Sequence, residues 1–496
     1  MDPIIILLGL LSFALASPTF ESACAAIATA FSSSASAVHW PNSSDYELAI
    51  EHWLASSTER AACVAQPATT ADVGAILKVV GIKHVPFAVK GGGHTSNRGF
   101  SSTTGVHISL ARFNYTRLDD TKSTAVVGAG SRWSDVYAAL DGTGVNLVGG
   151  RNPAVGVAGF TLGGGKPGYS WKSNQYGLAI DTLTGVNIVL PNGTLAAANQ
   201  SHNQDLFFSL KGGFNNYGVV TELIFRTVPQ DKVWAGRINY ATNQLPLLTA
   251  AIARFERENV DPRAAIVAGI AALPNVTSGI LNPATGNLQL FYDGPNPPAS
   301  VFSEFLAIPA MSNTWGGPMS FLQWVGGDGG VSNLRGIFNA FSTLRHTESF
   351  LQDVVHSVDT YSARLGRKSA AYLSVAIEPF LPTALLQANS SSSAYPPVRS
   401  PVLLPSNIFF GYTDAAQDHE FRAAIADMGS DLVARARGEG LILPADKGGS
   451  IYPNYALAGA DSMAEFYGAE HLARMRRVRR EVDPDGIMEL TGGWKL

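Results

Sequence analysis

Cysteine is nearly missing from this chain: Cys24 and Cys63 are the only two in 496 residues. So few thiols exclude a disulfide-framework scaffold and a multi-cysteine metal site. Charge is scarce as well, at 15% of residues, with 35 Lys plus Arg against 39 Asp plus Glu and a net charge of -4. That near-neutral balance lacks the electrostatic footprint of a protein that binds DNA or RNA. At 46% hydrophobic residues the sequence is nevertheless too apolar for disorder. Long apolar runs are absent too. The longest, Ile4 to Leu15, falls short of the roughly 20 residues that cross a membrane. The phosphate-loop pattern G-x-x-x-x-G-K-[ST] does not occur, nor does a Gly-x-Ser-x-Gly elbow. No His/Asp/Glu group has metal-ligand spacing.

What the chain does have is glycine, 50 residues of 496, against an average usage near 7%. No G-X-Y period accounts for them, so collagen is excluded. The length predicts two or three domains, each with its own core. Residues 1–16 read as an export signal, because Ile4 to Leu15 ends in Ala14-Leu15-Ala16, a small-x-small cleavage pattern before Ser17. Export places the chain in an oxidising compartment, where Cys24 and Cys63 read as one disulfide. Six Asn-x-Ser/Thr sequons, at Asn42, Asn114, Asn192, Asn199, Asn275 and Asn389, agree with a secreted glycoprotein. After signal cleavage no membrane partner is expected.

Helix and strand patterns alternate between Thr69 and Gly150. Thr69-Thr70-Ala71-Asp72 caps a helix whose apolar face is Val73, Ile76, Leu77 and Val80. Val85–Val89, His107–Leu110 and Thr124–Val127 read as strands, and Val136, Tyr137 and Leu140 as one face of a helix. Beyond Pro229 the helical patterns lengthen and separate strands such as Leu288–Tyr292 appear. Arg474 to Arg480 alternates with Met475, Val478 and Val482, the solvated face of an amphipathic helix. The texture is α+β.

The glycines concentrate at 91–93, 128–130, 149–168 and 212–218. Glycine turns after strands let backbone N–H groups approach a ligand closely. Several such turns over about 130 residues point to one long ligand wrapped by several loops. Gly128-Ala129-Gly130 lacks the third glycine of a dinucleotide fingerprint, which disfavours a Rossmann site.

Lys-Gly-Gly-Gly-His-Thr-Ser-Asn (90–97) resembles the flavin-attachment loop of FAD-linked oxidases of the berberine-bridge-enzyme and oligosaccharide-oxidase type. The resemblance continues through 127–133, Val-Gly-Val-Ala-Gly-Phe-Thr-Leu-Gly-Gly-Gly (155–165), Tyr-Gly-Leu-Ala-Ile-Asp (176–181) and 205–213. It ends in Tyr-Pro-Asn-Tyr (452–455) and Arg-Arg-Glu-Val-Asp-Pro-Asp-Gly (479–486). It implies an α+β fold: a two-subdomain PCMH-type FAD-binding domain over 60–232, and an antiparallel-sheet substrate domain with helices over 233–435. A C-terminal segment, 436–496, returns to the FAD domain. The implied cofactor is FAD, tied through its 8α-methyl to His94. The implied contacts are Gly91, Gly92, Gly93, Thr95, Asn152, Val155, Gly156, Gly159, Gly163, Gly164, Val219 and Asn454.

One departure stands out. Many members carry a cysteine in Gly-x-Cys-Pro-x-Val-Gly that makes a second flavin bond, whereas this chain reads Gly150-Arg151-Asn152-Pro153-Ala154-Val155-Gly156. Asparagine cannot form a thioether, so a single attachment is expected. Gly165-Lys166-Pro167-Gly168-Tyr169 is also longer than the usual spacing. Val155 matches the position bordering the oxygen side of the ring and fits an oxidase. The base is expected to be Tyr452 or Tyr455, read as lying on one face of an extended strand with Asn454 opposite; Lys447 reads as a solvated lysine nearby.

The implied function is an oxidase that passes hydride from a small organic or carbohydrate-like alcohol or amine to flavin N5, O2 then giving H2O2. The alternatives are a flavoprotein of secondary metabolism catalysing isomerisation or cyclisation, and a non-enzymatic secreted flavin-binding protein. The expected partners are a small-molecule substrate and O2, around a monomer.

Overall fold

The computed structural model describes residues 18–163, 169–275, 277–327, 334–444, 447–449, 451–459 and 463–496. The export signal at 1–16 and the expected cofactor contact Gly164 lie outside the described residues. Helix Thr70–Lys83 begins where its sequence says it should, with the Thr69 hydroxyl accepting from the Asp72 N–H. Such a cap stabilises by about 1 kcal/mol. Val73, Ile76, Leu77 and Val80 are fully buried, each contributing roughly 1.5–3 kcal/mol.

Two small sheets build the first body. One runs Ala37–His39, Cys63–Gln66, Val106–Ser109, Phe87–Lys90, and its last three strands are parallel. The other is antiparallel and runs Thr116–Leu118, Thr124–Gly128, Val219–Arg226, Leu183–Val189, Leu195–Asn199. Their buried side chains merge into one core that includes Val73, Val106, Val127, Trp133 and Leu223. Cys24, on helix Pro18–Ala30, is disulfide-bonded to Cys63 at the start of its strand.

A seven-stranded antiparallel sheet forms the second body, in the order Ser312–Trp315, Trp234–Tyr240, Thr285–Tyr292, Ala264–Ala272, Ala370–Ile377, Leu404–Tyr412, Arg335–Thr343. Alternation assigns its faces. Ile266, Leu288, Ile337 and Ile408 point to helices Leu245–Glu258, Glu348–Leu365 and Asp418–Gly438 and join their core. Their chain neighbours Val267, Gln289, Phe338 and Asn407 face the first body. Lys172, wholly buried, bridges the two bodies, donating to Asp293 at 2.6 Å and to the Pro229 carbonyl at 3.1 Å.

Helix Met463–Val482, bent at Gly468 (φ 66°), packs against helix Gln204–Leu210 of the first body, where Arg474 meets Asp205 and covers the Phe208 ring. The chain then threads past the first body. Asn215 donates to the Gly492 carbonyl, Asn216 to that of Trp494, and the Trp494 indole N–H to Pro453. Gly492 lies so close to the Gly99 carbonyl that a Cβ would sit 1.7 Å from it, so only glycine fits. Among the described residues no helix is long and apolar enough to cross a membrane.

Of the sequons, Asn42, Asn114, Asn192, Asn275 and Asn389 are exposed. Asn192 occupies the turn between strands Leu183–Val189 and Leu195–Asn199. Asn199 is half-buried, and its amide oxygen accepts from Ser201 and His202.

Candidate flavin site

Between the two bodies lies a cavity of about 440 Å³. Glycines set its floor. Strand Phe87–Lys90 runs into Gly91-Gly92-Gly93, and Gly93 takes φ 67°. A Cβ on Gly92 would lie 2.4 Å from the Gly156 nitrogen, so these two loops meet backbone to backbone. A Cβ on Gly91 would lie 2.9 Å from the Ala129 carbonyl, which brings the 128–130 turn to the same point. Three glycine segments far apart in sequence thus converge.

His94 follows at the cavity wall. Its ring stacks on Trp53, centroids 4.1 Å apart and planes within 7°, and the Trp53 N–H donates to the Gly93 carbonyl at 3.0 Å. The His94 Nε2 is sealed from solvent with no partner among the described residues. Burial pushes its pKa down to about 4, a backbone hydrogen bond opposing and Arg132 assisting. The imidazole is therefore neutral at pH 7, with a lone pair to offer. Lys90 donates to the Ala49 carbonyl, and burial, helped by Arg132, brings its pKa down to about 8.

The other expected contacts fall as follows. Thr95, Asn152, Val155, Gly156, Gly159, Gly163, Val219 and Asn454 all line the cavity. Asn152 accepts from the Ala154 N–H at 2.9 Å and shapes its own turn. Asn454 packs on Gly163, where a Cβ would come within 2.1 Å of its amide oxygen. It donates to the Phe160 carbonyl and to the Tyr452 hydroxyl.

The tyrosines differ from the sequence reading. Residues 452–455 form a turn, not an extended strand, closed by the Tyr455 N–H donating to the Tyr452 carbonyl at 2.9 Å. A spacing of three would put the rings on opposite faces of a strand. The turn instead brings them together, edge to face at 4.4 Å. Asn454 is not opposite them but bonded to Tyr452.

Sequence reasoning also missed the charged pair beside them. Arg151 donates to Glu378 at 2.6 Å, both largely buried. Burial first, then Glu378, raises the Tyr455 phenol to about 12, while Arg151 and Asn407 pull it down. Burial holds Tyr452 well above the usual phenol range. Lys447 is exposed, so the cation near the phenols is Arg151. Arg151 sits inside the 150–156 motif; Glu378, Asn407 and Trp53 lie in no motif and become visible only in three dimensions. Over the cavity hang Val267, Gln289, Phe338 and Asn407, one from each of four strands, none charged. Among the described residues no cluster suits a metal ion.

The donor set fits a covalently held flavin. His94, neutral and with its buried Nε2 unpartnered among the described residues, lines a cavity floored by glycine backbone, and Asn152 rather than a cysteine stands at position 152. A family model described as an FAD binding domain matches residues 61–199. An uncharacterized FAD-linked oxidoreductase of Arthroderma benhamiae is 36% identical over 282 residues, 56% of this chain and about half (54%) of that protein. The FAD-dependent monooxygenase prx3 of Penicillium roqueforti is 30% identical over 492 residues, 93% of this chain and 91% of its own. Among solved structures, the glucooligosaccharide oxidase of Acremonium strictum, described with a 6-S-cysteinyl, 8α-N1-histidyl FAD, superposes with a TM-score of 0.73. That match is 19% identical and covers 94% of this chain and 97% of the other. The chain belongs to the FAD-linked oxidoreductases, and its cofactor is FAD.

Proposed function

We propose that the protein is an oxidase that takes hydride from a small, uncharged alcohol or amine and passes the electrons to O2. The observation that carries this reading is the meeting of His94, the glycine floor and the Tyr452–Tyr455 pair in one cavity. Bound there, FAD supplies the hydride acceptor and the route to oxygen. Gly91, Gly92, Gly156 and Gly163 would hold it through close backbone, and His94 would tether it singly.

The protein's own task is to orient the substrate and take its proton. Tyr455 is the favoured base because Arg151 and Asn407 both favour its charged form. With a pKa of about 12 its phenolate is a minority at neutral pH, so substrate oxidation should rise with pH. Substrate class follows from the roof. Val267, Gln289, Phe338 and Asn407 offer two amides, a phenyl and a valine. Arg151, on the wall, is already neutralised by Glu378. Among the described residues a charged substrate would find no free counter-ion there, whereas an uncharged one with an apolar body needs none. Export, glycosylation at exposed sequons and a monomeric state belong to the same proposal, with domain limits at 60–232, 233–435 and 436–496.

The test is a substrate panel read by anaerobic bleaching of the flavin, followed by H2O2 on reoxygenation. Bleaching by uncharged alcohols with stoichiometric H2O2 is expected; no bleaching by any alcohol or amine would sink the reading. A second reading, insertion of one oxygen atom, draws on the P. roqueforti relative's name. Label from ¹⁸O₂ appearing in the product would favour it.

A further inference from the structure

We propose that Trp53 is the positioning residue for His94, fixing the plane of its imidazole for bond formation with the flavin. The inference rests on His94 being the attachment residue. A histidine at the end of a triple-glycine loop is free to rotate about both side-chain torsions, and fixing such freedom in advance is what orientation contributes to rate. Here the fixing is twofold. The indole lies flat on the imidazole at 4.1 Å and 7°, and the Trp53 backbone N–H holds the Gly93 carbonyl, one residue before His94.

Trp53 is in turn held from the second body. Its ring stacks with Phe338 at 5.7 Å and with Phe409 at 5.5 Å, both on strands of the seven-stranded sheet. A rigid aromatic column therefore runs from that sheet through Trp53 to His94. The imidazole is left at the cavity wall with its plane set, and no partner among the described residues competes for its buried Nε2. In the bond-forming step the imidazole nitrogen joins the 8α carbon. The methyl group gives up one hydrogen and the imidazole its N–H proton, and the two electrons released pass through the flavin to O2, which becomes H2O2.

The experiment compares Trp53→Leu, Trp53→Phe and His94→Ala, produced as full chains. Covalent flavin is read as fluorescence of the denatured polypeptide and as its mass increment, and total flavin as absorbance of the native protein. Trp53→Leu is expected to keep total flavin while covalent incorporation slows by about 10²-fold, and Trp53→Phe to restore most of the rate. Covalent flavin forming in Trp53→Leu at the unsubstituted rate would overturn the proposal. So would parallel loss of total and covalent flavin, which would mark a binding role. Should Trp53→Leu fail to fold, Trp53→Met decides by the same readout. Covalent flavin in His94→Ala would instead overturn the attachment reading itself, which keeps the two failures apart.

Discussion

Arg151 donates to Glu378 at 2.6 Å across the boundary between the two bodies, joining residues 227 positions apart directly beside Tyr455. The pair acts on that phenol with opposite signs: the carboxylate raises its pKa and the guanidinium lowers it. Glu378→Gln should therefore let the phenol fall from about 12 toward its ordinary range. The pH at which flavin reduction reaches half its maximum rate should move to lower pH, as measured by anaerobic stopped flow. The same change leaves a largely buried guanidinium unpaired, at a cost of about 3–5 kcal/mol, so the melting temperature should drop.

Tyr455→Phe should slow flavin reduction by about 10²- to 10⁴-fold, the range for losing a general base. Tyr452→Phe should cost less, because its hydroxyl is held by Asn454 and its cation is the weakest of its influences. Single-turnover reduction under nitrogen separates the two, and equal losses would refute the assignment.

Gly92→Ala places a methyl 2.4 Å from the Gly156 nitrogen, where only backbone could move. Forcing the loops apart should destabilise by about 1–3 kcal/mol and lower flavin content per polypeptide. Calorimetry and the ratio of flavin to protein absorbance check both effects.

Asp72 tests the N-terminal packing by pH. Burial raises its pKa, but hydrogen bonds from the Ser32 N–H and the Ser36, Thr69 and Ser32 hydroxyls outweigh burial and hold it below 3.8. A depressed carboxylate contributes stability that is full above its unfolded pKa, near 4, and is lost as pH falls through the lower folded value. Asp72→Asn should thus destabilise at pH 7 and differ progressively less from the parent below pH 4. Urea titrations across that range measure it.

Reducing the Cys24–Cys63 bridge releases a constraint over a sequence separation of 39 residues. Loop-closure entropy puts its contribution at about 4 kcal/mol. Denaturation with and without reductant should reveal a loss of that order.

The glycine floor was legible because its requirement is local: a backbone that must pass within contact distance of another tolerates no side chain, and the sequence records this directly. Helix Thr70–Lys83 was legible for the same reason, its cap and apolar period lying within one short stretch. The Tyr452–Tyr455 geometry was not, since a single hydrogen bond turns an apparent strand into a turn. Arg151 with Glu378, and Trp53 with Phe338 and Phe409, bring loop residues to partners far away in sequence, and only the assembled fold defines them. The roof residues Gln289 and Asn407 alternate with buried leucine and isoleucine, and nothing in that pattern says which ligand they face.

Gly493 lines the cavity, and its neighbours are pinned by Asn215, Asn216 and the close pass at Gly99. The pocket is thus completed by a residue that leaves the ribosome about four hundred positions after its first glycine turn at 91–93. Synthesis delivers the early body first, and distant contacts form last. Stable cofactor loading accordingly waits until Gly493 has joined the early body.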